Sequence, residues 1–316
     1  MDYLLRIGTL MKNVKFNKVI IWGYPINTHT HSYIHAAFYK AFKFLGYDTF
    51  WYTDQKFDSI DYNNCLFIAA GEQEKNIPLN KNSYYLLHNV NCKRYLEAGC
   101  NVLQLQTHTS SIPKFTPKDT VFNKYAALIA GDVDCLFMCW ATDLLPHEIN
   151  IDDARNEKNN RECVWIGTYG DSKGCFQNGT ELEPFFNECE KNNIKLKKIN
   201  PWSTPISFEE NRKLVRNSYI SPTIQGPWQI ENEYIPCRIF KHISYGHFGY
   251  TNSKAVDDIF DNTLIYDRDA VKLFYKAIEC KNSQDHLNRL QHLMQEVKEK
   301  HTYINRIQTI IDCLPE

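Results

Sequence analysis

Short apolar runs alternate with amphipathic stretches through the first half of the chain, which is the pattern of βα units. Val19–Gly23 predicts a buried strand. Ser32–Leu45 predicts a helix carrying Ile34, Ala37, Phe38, Ala41 and Leu45 on one face, closed by Gly46. Further strands are expected at Thr49–Tyr52, Cys65–Ala70, Tyr84–His88, Val102–Leu105 and Leu136–Trp140, with Gly71, Pro78 and Pro113 marking loops. Strands alternating with helices favour a parallel, doubly wound sheet.

Asp152–Glu162 (DDARNEKNNRE) is polar throughout and reads as a linker. The rhythm then restarts with a strand at Cys163–Gly167, a helix at Glu181–Asn192 and a strand at Ile194–Ile199. Ser207 and Glu210 form a capping-box pattern that opens a helix over Phe208–Asn217. Helices are expected near Asp269–Cys280 and Gln284–Cys313. A chain of 316 residues suits two domains. The expected division is 1–155, 156–285 and a terminal helical segment, 286–316, packing back across the domains.

Composition narrows the function classes. Hydrophobic residues at 43% and charged residues at 23% fit a folded protein. A formal net charge of −1 gives no global signature of nucleic-acid binding, and none is expected. Eleven cysteines occur without a CxxC pair, and no signal peptide is evident. Reduced thiols in a cytoplasmic setting are therefore expected. No apolar run reaches the length of a bilayer span, which leaves peripheral membrane association open. Asn178-Gly179-Thr180 fits the glycosylation pattern and reads as a chance match.

The segment from Ser218 to Ser253 is the most informative. It reads as strand, polar loop, helix, Gly turn and strand, with Glu233, Arg238 and Lys241 in the loop and first turns of the helix. In an α/β sheet this place presents backbone N–H groups and a positive helix end to a phosphorylated ligand. Arg238 suits a diphosphate, and a salt bridge to Glu231 or Glu233 is the bland alternative. Gly167-Thr168-Tyr169-Gly170 follows the restarted strand, where glycines let a backbone approach a diphosphate; a plain βα turn is equally compatible. Trp228, within IQGPWQ, fits either base stacking or packing. In the first half, Asn27-Thr28-His29-Thr30-His31 follows the first strand, and His88-Asn89 ends another. His29 and His31 could serve as a general base, bind an acceptor or hold a metal.

EYIPCRIFKHISYGHFGYTNS (Glu233–Ser253) resembles the donor-binding segment of GT-B glycosyltransferases. HTYINRIQTII (His301–Ile311) resembles the helix that closes many such chains. The resemblance implies two Rossmann-like domains facing across a cleft. It also implies hexosyl transfer from a nucleotide-diphosphate sugar, UDP- or GDP-linked, to a hydroxyl acceptor, expected to be a glycan. No bound cofactor or metal is implied. Donor binding would fall to Gly167, Thr168, Glu233, Arg238, Lys241 and Asn252. Acceptor binding would fall to His88 and Asn89, with His29 and His31 catalytic. Retaining members carry two glutamates eight positions apart; here Glu233 fills the first place and Lys241 the second. A lysine accepts no hydrogen bond from a ribose, though it can meet phosphate as a point charge. Two other classes stay open: a metal-dependent hydrolase of barrel type using His29 and His31, and a non-catalytic nucleotide- or glycan-binding protein.

Overall fold

A computed structural model describes residues 15–52, 60–71, 75–108, 125–170, 178–201 and 203–315. The chain forms two compact units. Unit 1 gathers residues 1–107, 112–138 and 303–316, and unit 2 gathers 108–111 and 139–302.

Unit 1 is a seven-stranded sheet. Its strands are β1 (Lys18–Trp22), β2 (Asp48–Tyr52), β3 (Cys65–Ala70), β4 (Tyr84–His88), β5 (Asn101–Gln106), β6 (Ala126–Ile129) and β7 (Cys135–Met138), in the order β2-β1-β3-β4-β5-β7-β6. Every pair is parallel except β6–β7. The expected doubly wound parallel arrangement is therefore present. All six residues of β3 are buried, as an apolar run must be when both sheet faces are covered. Helices α1 (Thr30–Phe44) and α2 (Lys93–Glu97) belong to this unit, as does the C-terminal helix Tyr303–Cys313. Phe38 of α1 meets the Tyr303 ring edge-on at 4.6 Å. At the centre Phe67 stacks on Tyr85, with centroids 4.8 Å apart. The Tyr85 hydroxyl is satisfied by donating to the Pro78 carbonyl and accepting from the Asn80 N–H.

Unit 2 repeats the plan. It contains β8 (Glu162–Ile166), α3 (Asn178–Lys191), β9 (Lys195–Ile199), α4 (Phe208–Arg216), an extended run at 218–223, α5 (Pro227–Glu231) and α6 (Cys237–Ser244). Beyond these come β10 (Tyr250–Thr251), α7 (Lys254–Ile259), β11 (Ile265–Tyr266), α8 (Ala270–Asn282) and α9 (His286–Lys300). β8 pairs with β9 on one side and bridges to Ile220 on the other. Thr223 donates through its N–H to Tyr250, and β10 pairs with β11. The resulting order is β9, β8, the 218–223 run, β10, β11.

Both units thus place their first strand between their second and third. The chain's direction of progress across the sheet reverses there, and the carboxyl ends of the two strands flanking such a reversal are where open α/β sheets bind ligands. In unit 1 these are β1 and β3; in unit 2 they are β8 and the 218–223 run.

Two local departures from the sequence expectation have physical causes. The single helix expected over Gln284–Cys313 is broken at His301–Thr302. There the His301 carbonyl accepts from the Thr142 N–H at 3.1 Å, and Thr302 bridges to Thr142. β6 was not expected, since AALI is too short for its apolar run to announce a strand. No helix of the described residues is long and apolar enough to cross a membrane.

Phe67→Ala should lower stability by about 3–5 kcal/mol, through lost burial and the cavity beside Tyr85. Urea unfolding followed by tryptophan fluorescence checks this.

Candidate functional site

The reversal point of unit 2 is built around Arg238. α6 starts just after Pro236 and carries Arg238 in its first turn, while Ile239, Phe240 and Ile243 anchor the helix in the core. The guanidinium lies over Trp165, its Cζ 3.9 Å from the ring centroid. Its Nε donates to the Ile166 carbonyl and its NH1 to the Ile224 carbonyl, each at 3.3 Å. Those carbonyls end the two strands that flank the reversal. Arg238 forms no ion pair with Glu231, Glu233 or any other described carboxylate. Burial lowers it to about 10, so it remains a cation at neutral pH.

Gly167 makes this placement possible. Its φ is +154°, and a Cβ there would lie 2.3 Å from the Arg238 NH2. Any side chain at 167 would displace the guanidinium. The Thr168 carbonyl accepts from the Asn178 amide at 2.9 Å, and Gly179 donates to the Tyr169 carbonyl at 2.7 Å. The positive end of the fourteen-residue helix α3 therefore opens against the same loop.

The remaining expected donor residues are placed as follows. Glu233 is exposed and holds φ +51°, a left-handed conformation, just after α5, where glycine is the usual occupant. Lys241 is buried, with its ammonium 4.0 Å from Asp143. Asp143 also accepts two hydrogen bonds from the Tyr245 hydroxyl, at 2.7 and 2.9 Å. Lys241 thus helps to balance a buried carboxylate. Asn252 is fully buried: its Oδ1 accepts from the Gln225 N–H and its Nδ2 donates to the Gln225 carbonyl. Trp228 packs against His108 and Tyr234, and Trp140 is buried with its indole N–H donating to the Tyr234 hydroxyl.

The reversal point of unit 1 carries a stack of rings. Tyr24, which follows β1, lies 3.9 Å from His29 at 13°, and His29 lies 4.9 Å from His31. His35 continues the stack one turn into α1, and His88 meets His31 edge-on at 5.1 Å. His35 fits only because residue 23 is glycine; a Cβ there would lie 1.9 Å from its Nδ1. The His29 Nδ1 accepts from the His31 N–H and caps α1. The neutral tautomer compatible with that cap carries its hydrogen on Nε2, which makes His29 a donor. The His88 Nδ1 donates to the Leu105 carbonyl, and its Nε2 lies 3.2 Å from the Asn89 amide nitrogen. Burial, reinforced by the neighbouring histidines, lowers His31 to about 2 and His35 to about 3. Both are neutral and weakly basic at physiological pH. No three His, Cys, Asp or Glu side chains among the described residues are grouped to hold a metal ion.

Sequence reasoning missed Asn178, Trp165 and the carbonyls of Ile166 and Ile224. Asn178 carries a signal in its position at the start of a helix behind a glycine loop, which its place in a glycosylation pattern obscures. Its side chain is buried and both amide atoms are bonded within the protein.

No family model and no curated protein matches the sequence. Solved structures do match the fold. An alpha-glucosyltransferase in complex with UDP superposes with a TM-score of 0.55 at 10% identity, covering 93% of this chain and 99% of that one. An alpha-glucosyltransferase in complex with UDP and a 13-mer DNA containing a HMU base gives a TM-score of 0.53, also at 10% identity, covering 93% of this chain and 98% of that one. The chain has the GT-B glycosyltransferase fold, as its donor-segment resemblance implied, and is not a barrel.

His35 in unit 1 and His242 in unit 2 are both buried and lowered to about 3. The unfolded chain takes up these protons near the ordinary pKa of about 6.5, and the folded chain resists them. Their contribution to stability is thus intact above pH 6.5 and is lost as pH falls toward 3. Each group adds a slope of about 1.4 kcal/mol per pH unit. Melting temperature should fall steadily from pH 6.5 to 4, and His35→Gln in a folded variant should flatten that dependence.

Proposed function

We propose that this chain is a glycosyltransferase that moves a hexose from a UDP- or GDP-linked donor to a hydroxyl acceptor. The observation that carries the reading is Arg238, a clamped cation with no described carboxylate partner, at the reversal point of unit 2. Such a group needs an anion, and a nucleotide diphosphate supplies one. As the bond between the sugar carbon and the diphosphate oxygen breaks, negative charge grows on the leaving phosphate. A cation fixed in advance stabilises that charge without reorganising. The two UDP-bound neighbours support a nucleotide donor.

Gly167 and Thr168 supply the loop beneath the diphosphate, and Glu233 accepts hydrogen bonds from the sugar hydroxyls. Lys241 and Asn252 act from behind, one by balancing Asp143 and the other by holding Gln225. Unit 1 binds the acceptor near His29, His31, His88 and Asn89. His29 presents an Nε2–H to an acceptor oxygen, and the acceptor proton leaves on the departing diphosphate. A glycan hydroxyl is the first acceptor to assay. The neighbour solved with DNA makes a hydroxyl on a nucleic-acid base the second.

UDP and GDP should be titrated into the purified protein with melting temperature as readout. One nucleotide should raise it by mass action. Arg238→Gln should abolish the rise, and Gly167→Val should do the same by occupying the guanidinium's place. Absence of any nucleotide effect on the wild type would overturn the reading.

Glu233→Gly gives a second test. Glycine relieves the left-handed backbone, so stability should hold or rise by up to about 1 kcal/mol. Sugar transfer, or donor hydrolysis with water as acceptor, should fall at least a hundredfold. Retained turnover would remove Glu233 from the site.

A further inference from the structure

Two loops form the walls of the Arg238 site, 166–169 after β8 and 224–226 after the extended run. Arg238 joins them at one end, through the carbonyls of Ile166 and Ile224. A second cross-link joins them at the other. The Asn178 Oδ1 accepts from the Gly226 N–H at 2.8 Å, and its Nδ2 donates to the Thr168 carbonyl at 2.9 Å. Asn178 is 3% exposed, so neither bond is exchanged with water. The next residue, Gly179, repeats the attachment by donating to the Tyr169 carbonyl. On the far side, Asn252 fixes Gln225 through both of its backbone groups, and its amide lies 3.5 Å from Glu181 of α3. Glu181 is in turn held by two bonds from Arg268.

The links close into a ring. It runs from Arg238 to Ile224, along the chain to Gly226, across Asn178 to Thr168, and back through Gly167 and Ile166 to Arg238. We propose that Asn178 is a positioning residue for the donor site: it sets the separation of the two loops and so fixes where the Arg238 guanidinium meets the diphosphate. The inference rests on the donor reading above and adds a residue that touches neither the diphosphate nor the sugar. Only an amide meets the requirement, because one atom must accept from Gly226 while its neighbour donates to Thr168. Aspartate is the same size and accepts from Gly226, but it sets a carboxylate oxygen against the Thr168 carbonyl.

The test uses the full chain with Asn178→Asp and Asn178→Ala, measured beside the wild type and Arg238→Gln. Melting temperature, nucleotide dissociation constant and the donor and acceptor KM values are recorded where each variant is folded. Both variants should weaken nucleotide binding and raise donor KM at least tenfold, with acceptor KM unchanged within twofold. Asn178→Asp should be the more damaging to donor binding despite its closer shape. If both variants lower melting temperature yet bind nucleotide like the wild type, Asn178 only supports the fold and the inference fails. If Asn178→Ala does not fold, Asn178→Asp alone decides on the same criterion. Failure of the donor reading looks different, since then the wild type itself binds no nucleotide and Arg238→Gln changes nothing.

Discussion

A guanidinium held by neutral partners is the constraint around which unit 2 is arranged. Arg238 has an aromatic face beneath it and two carbonyl oxygens beside it, none of which carries a full charge. Removing a cation partly from water without a counter-ion is unfavourable, and the lowered proton affinity of Arg238 expresses that cost. The arrangement persists because α6 is anchored independently by Ile239, Phe240 and Ile243, so the helix does not depend on the arginine. The geometry suits a ligand that brings the missing charge. Lys241, one turn along, shows the contrast: it has Asp143 nearby and is correspondingly unavailable as an open anion site.

The two units present the same topological reversal with different chemistry. Unit 2 fills it with a cation, the carbonyls that hold it and a helix N-terminus. Unit 1 fills it with neutral rings from Tyr24, His29, His31 and His35. Burial suppresses the protonation of His31 and His35, and the nearby histidines add to the effect. A site of that kind offers flat, polarisable surfaces and directed hydrogen bonds without net charge. Such chemistry suits an uncharged hydroxyl-bearing partner better than a phosphate.

Much of the fold was legible because buried parallel strands must be apolar runs. KVIIW, CLFIAA and YYLLH admit few other readings when helices alternate with them. The loop at Gly167 and its arginine were legible for a related reason, since a glycine after a buried strand and an arginine opening a helix are local features. What escaped was everything that depends on two distant segments meeting. β6 exists because β7 pairs with it, and the helix break at His301 exists because Thr142 lies beside it. The neutrality of His31 and His35 follows from burial, reinforced by nearby histidines, which no spacing along the chain reveals. Asn178 was invisible as a brace because its partners lie 10 and 48 residues away.

The burial of Asn178, the first residue of an Asn-Gly-Thr triplet whose Thr180 is exposed, bears on how this protein can be produced. Glycan transfer acts on accessible asparagines, and the folded chain buries Asn178 with both amide atoms bonded. A chain routed through a secretory pathway would meet the modifying enzyme before folding hid the asparagine. A sugar attached there would occupy the space where α3 meets the loop at Gly226 and block closure of that part of unit 2. Expression in a host compartment without N-glycosylation avoids that competition, and a secreted preparation would divide into modified, misfolded chains and unmodified, folded ones.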